Sequence, residues 1–449
     1  MPANASSEDC LFLDVYAPST ATANSKLPVF FFIQGGGFNQ NSNPNLNGSG
    51  LITAGDMDLV VVTFNYRVGF YGFLAGQEVI DGGGAINAGL LDQRKALQWV
   101  QRYISQFGGD PGHVVMGGDS AGAASVNLQL TAYNGTNQNL FHATAAESQS
   151  FAAVRTVEQS QYQYDNLVIR TGCASELDTL SCLRSLNTSL LQSINYNTPF
   201  PGAEGAPLYE YGPVLDGKVV TDYTYAAYAK GNFVKLPAIY GDDTNEGTIF
   251  TPKSIANISA SNIFLKNQFP NIKPADLYTI NQMYPIAEQF PNSGPFWRQA
   301  ANAYGEVRYI CPGIFISQTY TNMSLTKNWN YHWNVIDPPA EESGLGVTHT
   351  VELNAIFGPQ NVNGGAPASY STVNANIVPV VQKYWTSFIR TFDPNTYKLP
   401  GSPTWTQWGF GDGHQRLLMQ TNASGMETVP SAQYKRCEFL WSIGLKLQQ

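Results

Sequence analysis

The sequence predicts an α/β fold, and three observations support that prediction. The residues from Leu27 to Ile33 form a continuous run of apolar, β-branched and aromatic side chains, which is typical of a strand buried on both faces. Apolar residues at helical spacing follow between Ala88 and Ile104, and a second apolar strand, from His113 to Met116, comes directly after them. A strand, a crossover helix and a strand in succession indicate a βαβ unit in a mostly parallel sheet.

Further elements fit the same sheet. Strands are predicted from Asp58 to Tyr66, from Leu236 to Tyr240 and from Tyr331 to Ile336. The segment from about Ser254 to Asn330 is polar and rich in Asn, Pro and aromatic residues, which indicates helices and loops lying over the sheet. Because no repeat, charged block or Ser/Gly linker marks a boundary, we expect residues 1–449 to form one domain.

Composition excludes several classes of protein. Of 449 residues, 43% are hydrophobic and 13% are charged, which allows a large core and excludes disorder, collagen and coiled coil. The chain has 24 basic and 33 acidic residues, and no basic cluster interrupts its net charge of −9, so nucleic acid is not an expected partner. No apolar run reaches the 18 or more residues of a membrane span, so no transmembrane segment is predicted.

Glycosylation sequons suggest a secreted protein. The chain opens without the charged and apolar regions of a signal peptide. It nevertheless contains seven Asn-X-Ser/Thr sequons, which begin at Asn4, Asn47, Asn134, Asn187, Asn257, Asn322 and Asn422. Our interpretation is a secreted protein whose beginning is missing from the chain as given.

The five cysteines are odd in number, so in a secreted chain one thiol is free or has lost its partner. Cys173 and Cys182 flank a short polar stretch and could close a small loop. Cys311 and Cys437 lie in apolar surroundings, which favours a small buried hydrophobic side chain over a redox role for each. There is no CxxC, no HExxH and no His/Cys cluster at ligand spacing, so no metal site is predicted.

The sharpest motif is Gly118-Asp-Ser-Ala-Gly, which follows a predicted strand and precedes a run of small residues that begins a helix. A serine that projects from a tight strand-to-helix turn needs small neighbours, because the backbone passes close to itself there. In a chain with 42 glycines the motif could also occur by chance. Its strand and helix context favours Ser120 as a nucleophile.

A glycine run after the first long strand offers the matching anion site. Gln34-Gly-Gly-Gly-Phe leaves backbone N–H groups free to stabilise the oxyanion of a tetrahedral intermediate. The alternatives are a plain turn or a phosphate-binding loop, but the Lys and GK[ST] ending of the latter are absent.

A general base and an acid complete the expected set. The serine motif of such a strand-to-helix turn is followed along the chain by the acid and then the histidine, and His113 and His142 are too near Ser120 for that order. His332 lies in a predicted strand, which leaves His349 and His414. His349 lies in a glycine-bearing loop and is the better candidate, whereas His414 is in a predicted surface turn. For the acid, spacing alone leaves three residues of one predicted loop open, namely Asp242, Asp243 and Glu246.

Taken together, the motifs resemble the type-B carboxylesterase family, the cholinesterase and fungal lipase/esterase branch of the α/β-hydrolases, and in particular its secreted fungal esterases. The resemblance extends over essentially the whole chain. It is carried by Ser7-Glu-Asp-Cys-Leu-Phe-Leu-Asp-Val-Tyr, Gly35 to Phe38, Asn65-Tyr-Arg-Val-Gly, Asn87-Ala-Gly-Leu-Leu-Asp-Gln-Arg, Phe107-Gly-Gly-Asp-Pro, Gly118 to Gly122, Asp242 to Gly247 and Gly346-Val-Thr-His-Thr-Val-Glu-Leu.

The resemblance implies an α/β-hydrolase fold and a role for each site residue. Ser120 would be the nucleophile, His349 the base and Glu246 the acid, because the family's acid precedes a glycine as Glu246 precedes Gly247. The resemblance also implies a disulfide between Cys173 and Cys182, and an oxyanion hole made by three backbone N–H groups, those of Gly36, Gly37 and Ala121. Family chains begin further upstream, so the resemblance implies a missing N-terminal portion that includes the partner of Cys10.

These observations predict a secreted serine esterase that hydrolyses carboxylic esters through an acyl-enzyme on Ser120. The aromatic-rich, weakly charged composition favours an apolar cleft and neutral acyl or aryl esters. No cofactor is expected. Two alternatives stay open: a catalytically silent, cholinesterase-like binding or adhesion protein, and a true lipase.

Overall fold

The computed structural model describes residues 8–42, 46–362, 365–411 and 413–449. Its strands within those ranges are β1 (Leu13–Tyr16), β2 (Leu27–Ile33), β3 (Val60–Phe64), β4 (Gly109–Asp119), β5 (Ala143–Glu147), β6 (Arg155–Thr156), β7 (Val214–Leu215), β8 (Ala238–Asp243), β9 (Asn328–Trp333), β10 (Gln415–Met419) and β11 (Gly425–Thr428).

Nine of these strands form one sheet in the order β1-β3-β2-β4-β5-β8-β9-β10-β11. The pairs from β3 through to β10 are parallel, and only the outermost strands, β1 and β11, pair antiparallel with their neighbours. The short strands β6 and β7 pair separately. The prediction of a mostly parallel α/β sheet is confirmed.

Helices connect the strands and cover both faces of the sheet. They are α1 (Ser49–Ala54), α2 (Phe70–Phe73), α3 (Gln77–Asp81), α4 (Ala88–Tyr103), α5 (Ala121–Gly135), α6 (Val157–Thr171), α7 (Thr179–Ser185), α8 (Thr188–Ser193), α9 (Thr224–Ala229), α10 (Ile258–Gln268), α11 (Pro274–Met283), α12 (Trp297–Gly305), α13 (Cys311–Asn322), α14 (Pro338–Glu342), α15 (Leu353–Ile356), α16 (Ile377–Thr391) and α17 (Ser431–Gly444). A π-helical turn, Glu306–Ile310, joins α12 to α13. No helix in the described ranges is long and apolar enough to cross a bilayer.

Strand β2 shows why the sheet is buried on both faces. Its side chains alternate between two cores: Val29, Phe31 and Ile33 pack in a cluster with α4 and α5, whereas Phe30 and Phe32 pack in a cluster with α1 and α16. All five are almost completely buried. Full burial of each such side chain stabilises the fold by about 1.5–3 kcal/mol, which explains the uninterrupted apolar run of the sequence.

The segment that was expected to lie over the sheet as helices and loops forms α10 to α13, and it has a third apolar cluster that includes α17. Within this cluster Cys311 is joined to Cys437, 126 residues further along. Both cysteines are buried, as expected, and packing of α13 against α17 brings their sulfur atoms together in a bond whose pairing the sequence left open. Cys173 and Cys182 form the second disulfide, and Cys10 is free and exposed.

Some boundaries differ from those predicted. Strand β8 continues through Asp243, so Asp242 and Asp243 lie at its carboxyl end and not in the following loop. Strand β9 begins at Asn328 and ends at Trp333, three residues earlier than the prediction at each end. The buried aromatic side chains of β9, which pair with β8 and β10, determine this register.

Candidate active site

Ser120 lies between the end of β4 and the start of α5, in the sharp turn that its motif predicts. Its backbone has φ +55° and ψ −118°, and its N–H donates to the carbonyl oxygen of Glu147 on the neighbouring strand, 3.0 Å away. Such a conformation is rare for a residue other than glycine. It holds the Ser120 hydroxyl above the carboxyl edge of the sheet, and the side chain is partly exposed there.

The glycines of the motif are required by close contact with other backbone atoms. A Cβ built at Gly122 would lie 1.9 Å from the carbonyl oxygen of Ile33. One built at Gly118 would lie 2.6 Å from the carbonyl carbon of Gly122. Both contacts are shorter than atoms tolerate, so any larger residue would displace the turn.

His349 contacts Ser120 from the far side of the site. Its Nε2 is 2.7 Å from the Ser120 Oγ, and its Nδ1 is hydrogen-bonded to Oε2 of Glu246. The other carboxylate oxygen of Glu246 accepts the backbone N–H of Asp243 at 2.8 Å. Glu246 is 1% exposed and His349 is 7% exposed. The structure therefore brings together the serine, histidine and glutamate that the resemblance implied.

The other two acid candidates point away from the histidine. Asp243 accepts a hydrogen bond from the Ser148 hydroxyl at 3.2 Å. Neither carboxylate oxygen of Asp242 has a hydrogen-bond partner within the described part of the chain. Burial raises the pKa of both carboxyl groups well above its usual value, and so do nearby acidic side chains. Neither group contacts the His349 ring nitrogens.

A second network supports the histidine loop, and its members were not among the site residues predicted from the sequence. The Ser148 hydroxyl accepts the backbone N–H of Thr350 at 3.1 Å and lies 3.4 Å from Oε1 of Glu352. That oxygen also accepts the hydroxyl of Tyr331 at 2.8 Å. Burial raises the pKa of Glu352. This network holds the residue next to His349 against strands β5 and β9.

The glycine run lies directly against the serine turn. A Cβ built at Gly35 would lie 2.9 Å from the Ser120 Cβ, and the Gly35 N–H donates to Oδ1 of Asp119 at 2.9 Å. Gly36 has φ +113°, which only glycine adopts easily. Within the described residues, no partner is recorded for the N–H of Gly36 or of Gly37. Burial raises the pKa of Asp119 to about 7, although the nearby His349 and the Gly35 N–H both lower it.

Aromatic rings line the rest of the site. The ring of Tyr309 is 4.4 Å from that of His349, and the ring of Phe250 is 5.0 Å from it, centroid to centroid. Tyr209 lies against Gly37, where a Cβ would be 2.3 Å from its ring. Aromatic rings therefore pack on the histidine and on the glycine run, which makes this side of the site apolar.

The four other histidines have partners elsewhere. His332 lies on β9, as predicted, with its ring nitrogens 2.8 Å from Thr244 Oγ1 and from Glu427 Oε1. His414 stacks on Tyr434 at 3.8 Å. His113 and His142 lie at the opposite end of the sheet, where they bond to the carbonyl of Ile389 and the N–H of Val114.

One cluster of metal-ligand atoms occurs among the described residues, formed by Glu306, Cys311 and Cys437. Because the two sulfurs are bonded to each other, neither is a thiolate that could bind a metal.

A serine whose hydroxyl contacts a carboxylate-bound histidine, held in a strand-to-helix turn of a mostly parallel sheet, defines the class: a serine hydrolase with the α/β-hydrolase fold. The chain belongs to the carboxylesterase family, whose family model matches residues 1–440. It is a carboxylic ester hydrolase of the type-B carboxylesterases, as the resemblance implied.

Individual relatives agree with this assignment. Secreted lipase 1 of Botryotinia fuckeliana is 31% identical over 93% of this chain and 74% of its own length. Lipase 2 of Geotrichum candidum is 32% identical over 86% of this chain and 70% of its own length. The crystal structure of Aspergillus niger EstA superposes with a TM-score of 0.95 at 44% identity, covering 99% of this chain and 85% of that one.

Proposed function

We propose that Ser120 is the nucleophile, His349 the general base and Glu246 the acid that orients it. The observation that carries this proposal is the 2.7 Å contact between His349 Nε2 and Ser120 Oγ, with Nδ1 bonded to Glu246. The Nδ1–H donates to the carboxylate, which leaves Nε2 unprotonated and able to accept the serine proton. Glu246 stabilises the imidazolium that forms, and it does not itself accept the proton.

Hydrolysis then proceeds in two halves. Ser120 Oγ attacks the ester carbonyl as its proton passes to His349, and the imidazolium gives that proton to the departing alcohol. In the second half, His349 takes a proton from a water molecule as the water oxygen attacks the acyl group on Ser120. The imidazolium then returns that proton to Ser120 Oγ as the acid is released.

We propose that the N–H groups of Gly36, Gly37 and Ala121 form the oxyanion hole. The unpartnered glycine N–H groups and the contact between Gly35 and Ser120 support this. Each such donor contributes about 10²- to 10³-fold to the rate.

The test uses a fluorophosphonate probe, which labels an activated serine covalently. We expect the wild type and a Ser185→Ala control, changed on an exposed helix, to be labelled, and Ser120→Ala to stay unlabelled with ester hydrolysis reduced by at least about 10⁴-fold. A thermal melt of each variant checks folding. Undiminished hydrolysis by Ser120→Ala would exclude the proposed nucleophile, and absence of labelling in folded wild type would favour the silent binding protein.

A second candidate function is that of a lipase, because two of the relatives are lipases by name. An esterase prefers dissolved esters, whereas an interfacial lipase becomes faster once a long-chain ester exceeds its solubility. We expect activity on short soluble esters without such an increase. An abrupt increase at the solubility limit of a long-chain ester would favour the lipase.

We propose that the protein is secreted and glycosylated. Six of the seven sequon asparagines lie in the described residues and all six are exposed, whereas Asn4 lies outside them. Two disulfides and relatives named as secreted lipases point the same way. Expression in a eukaryotic host, followed by enzymatic removal of N-glycans and mass measurement, tests this. A mass unchanged by the treatment would contradict it.

We also propose that residues 1–449 form one domain. Strands of one sheet come from Leu13 through to Thr428, and α17 packs against α13. A single cooperative transition that coincides in circular dichroism and tryptophan fluorescence is expected. Two separate transitions would contradict it.

A further inference from the structure

A small cavity opens beside the glycine run. Its walls include Gly37, Phe38, Tyr209, Arg155 and Arg308. Its volume is about 30 Å³, roughly two to three times what one water molecule needs by the same measure. A group that enters it from the reaction centre must therefore be small.

Arg308 is the unusual member of this wall. It is 6% exposed, and its Nε is buried without a hydrogen-bond partner. No carboxylate of the described residues lies within 4.0 Å of its guanidinium, whereas the equally buried Arg416 is paired with Glu427. Buried Arg94 also has no carboxylate partner, but its guanidinium donates to the side-chain oxygens of Gln129 and Gln138. A buried charge without a counter-ion is destabilising, so its retention calls for a ligand.

The position of Arg308 links it to the proposed reaction centre through two rings. Its Cζ is 5.7 Å from the centre of the Tyr209 ring, which contacts Gly37. It is 5.6 Å from the centre of the Tyr309 ring, which lies 4.4 Å from His349. The Tyr209 ring therefore lies between the guanidinium and the glycine run, and the Tyr309 ring lies between the guanidinium and His349.

The backbone at Arg308 is also unusual. The residue lies in the π-helical turn Glu306–Ile310, where an extra residue per turn changes the direction of the side chains. Such turns inside α-helices are rare and occur frequently at functional sites. The Arg308 carbonyl accepts the N–H of Phe151, which fixes the turn against the loop after β5.

The charges around the cavity leave an excess of one positive charge. Arg155 donates to the carbonyl oxygen of Glu210 at 2.9 Å and stacks on Phe200. The Glu210 carboxylate is held by the hydroxyl of Thr198 at 2.8 Å and by the Thr198 N–H. Two guanidinium groups and one carboxylate therefore line the cavity, and that carboxylate already has its own donors.

We propose that Arg308 binds an ionised carboxylate carried by the ester substrate, close to its ester carbonyl. The planar guanidinium donates two parallel hydrogen bonds to a carboxylate, and the cavity has room for such a small group. The substrate class is thus half-esters of short dicarboxylic acids, or esters of short hydroxy acids. This inference rests on the proposed esterase function of Ser120.

The test compares matched substrates in the wild-type enzyme. Monomethyl succinate carries the carboxylate on the acid side, and methyl succinamate is its uncharged isostere. Acetoxyacetate and acetoxyacetamide form the corresponding pair for the alcohol side. We expect kcat/KM to be higher for the charged member of one pair by about ten- to a hundredfold, the size of a charge-assisted hydrogen bond. The pair that shows this preference identifies whether Arg308 binds a carboxylate on the acid side or on the alcohol side of the ester.

Variants then assign the preference to Arg308. Arg308→Met should remove it, so that the charged-to-neutral ratio of kcat/KM falls to about one, and Arg308→Lys should retain part of it. Arg298→Met is the matched control, because Arg298 also packs on aromatic rings but does not line the cavity. Its ratio should equal that of the wild type. A thermal melt accompanies each variant.

The outcomes separate the two proposals. Equal turnover of charged and neutral esters by wild type, or a ratio that survives in folded Arg308→Met, would overturn the role of Arg308 and leave the esterase intact. If Arg308→Met does not fold, the wild-type comparison and Arg308→Lys still decide. No turnover of any ester and no fluorophosphonate labelling would instead remove both proposals.

Discussion

The imidazole of His349 has a partner on each ring nitrogen and aromatic rings on two sides. Glu246 is hydrogen-bonded to Nδ1 and Ser120 to Nε2. The rings of Tyr309 and Phe250 pack on the imidazole. Rotation of the ring would break both hydrogen bonds and open a gap against the aromatic side chains. The imidazole is therefore oriented before a substrate arrives, which lowers the reorganisation needed in the transition state.

A first prediction concerns the acid. Glu246→Gln keeps the shape of the side chain but removes its charge, so the imidazolium loses its stabilisation and the tautomer is no longer fixed. We expect kcat to fall by about 10³- to 10⁴-fold. Steady-state hydrolysis of a short soluble ester measures this.

The two remaining acid candidates serve as controls. Asp242→Asn and Asp243→Asn leave the Glu246–His349 hydrogen bond in place, and the Asp243 backbone N–H still reaches Glu246. Each should lose less than about tenfold in kcat. A larger loss in either aspartate variant than in Glu246→Gln would contradict the assignment.

Residue-level sequence reasoning succeeded where a motif constrains the backbone and failed where partners are distant in the chain. The crowding at Gly118 and Gly122 is local, so the serine turn could be predicted. Spacing could not decide among three acids within five residues. The choice depends on the end of strand β8, which includes Asp242 and Asp243 and directs them away from the histidine. Arg308 belongs to no motif, and its lack of a counter-ion becomes visible only once the fold is known.

At the level of elements, the strongly apolar central strands were predictable, whereas the buried strand β5, strand β10 and the two edge strands were not. Strands β2 and β3 are apolar on both faces and appear as continuous runs. The edge strands β1 and β11 mix half-buried and exposed residues over four positions each, which is too short a pattern to distinguish from a loop. The Cys311–Cys437 bond joins elements 126 residues apart, and nothing local indicates such a pairing.

A second prediction follows from the two disulfides, which close loops of different length. Replacing Cys311 and Cys437 with Ala opens a loop whose ends are 126 residues apart, whereas replacing Cys173 and Cys182 with Ala opens one whose ends are 9 residues apart. By loop-closure entropy the free energy of unfolding falls by about 5 kcal/mol in the first case and by about 2.6 kcal/mol in the second.

Urea unfolding of the two double variants measures the difference. Cys10→Ala is the control, since this thiol is exposed and free, and it should not change stability measurably. A smaller loss from the long loop than from the short one would show that helices α13 and α17 stay together in the unfolded chain.

For the molecule as a whole, buried carboxyl groups at the carboxyl edge of the sheet dominate the dependence of stability on pH. Burial raises the pKa of Asp119 to about 7 and raises those of Glu147, Asp242, Asp243 and Glu352. Between the unfolded and the folded pKa, the folded protein holds protons that the unfolded chain has released. Its free energy of unfolding therefore decreases as pH rises through that window.

A third prediction uses the upper part of the window. Burial lowers the pKa of four histidines, namely His113, His142, His332 and His414. They therefore make the free energy of unfolding decrease as pH falls below about 6.5, and they contribute little to its pH dependence above that value. From pH 6.5 to pH 8 the carboxyl groups act almost alone, so stability should decrease.

Urea unfolding at several pH values in that range tests this. Asp119→Asn removes one of the titrating groups, and its stability should decrease less steeply with pH than that of the wild type. Stability that stays level or increases toward pH 8 would mean that these carboxylates are already ionised in the folded protein.

The proposed nucleophile and base are separated by 229 residues of chain. At roughly 5–20 residues per second, on the order of ten to fifty seconds of protein synthesis lie between them. During that time Ser120 is an ordinary alcohol with no base beside it, and the acid that orients the base has no histidine to hold. With the proposed catalytic residues, the growing chain has no esterase activity before His349 is made, and a product truncated before His349 is inactive toward esters. The order of the residues along the chain thus delays activity during synthesis, because His349 follows strand β9 and is made only after that strand.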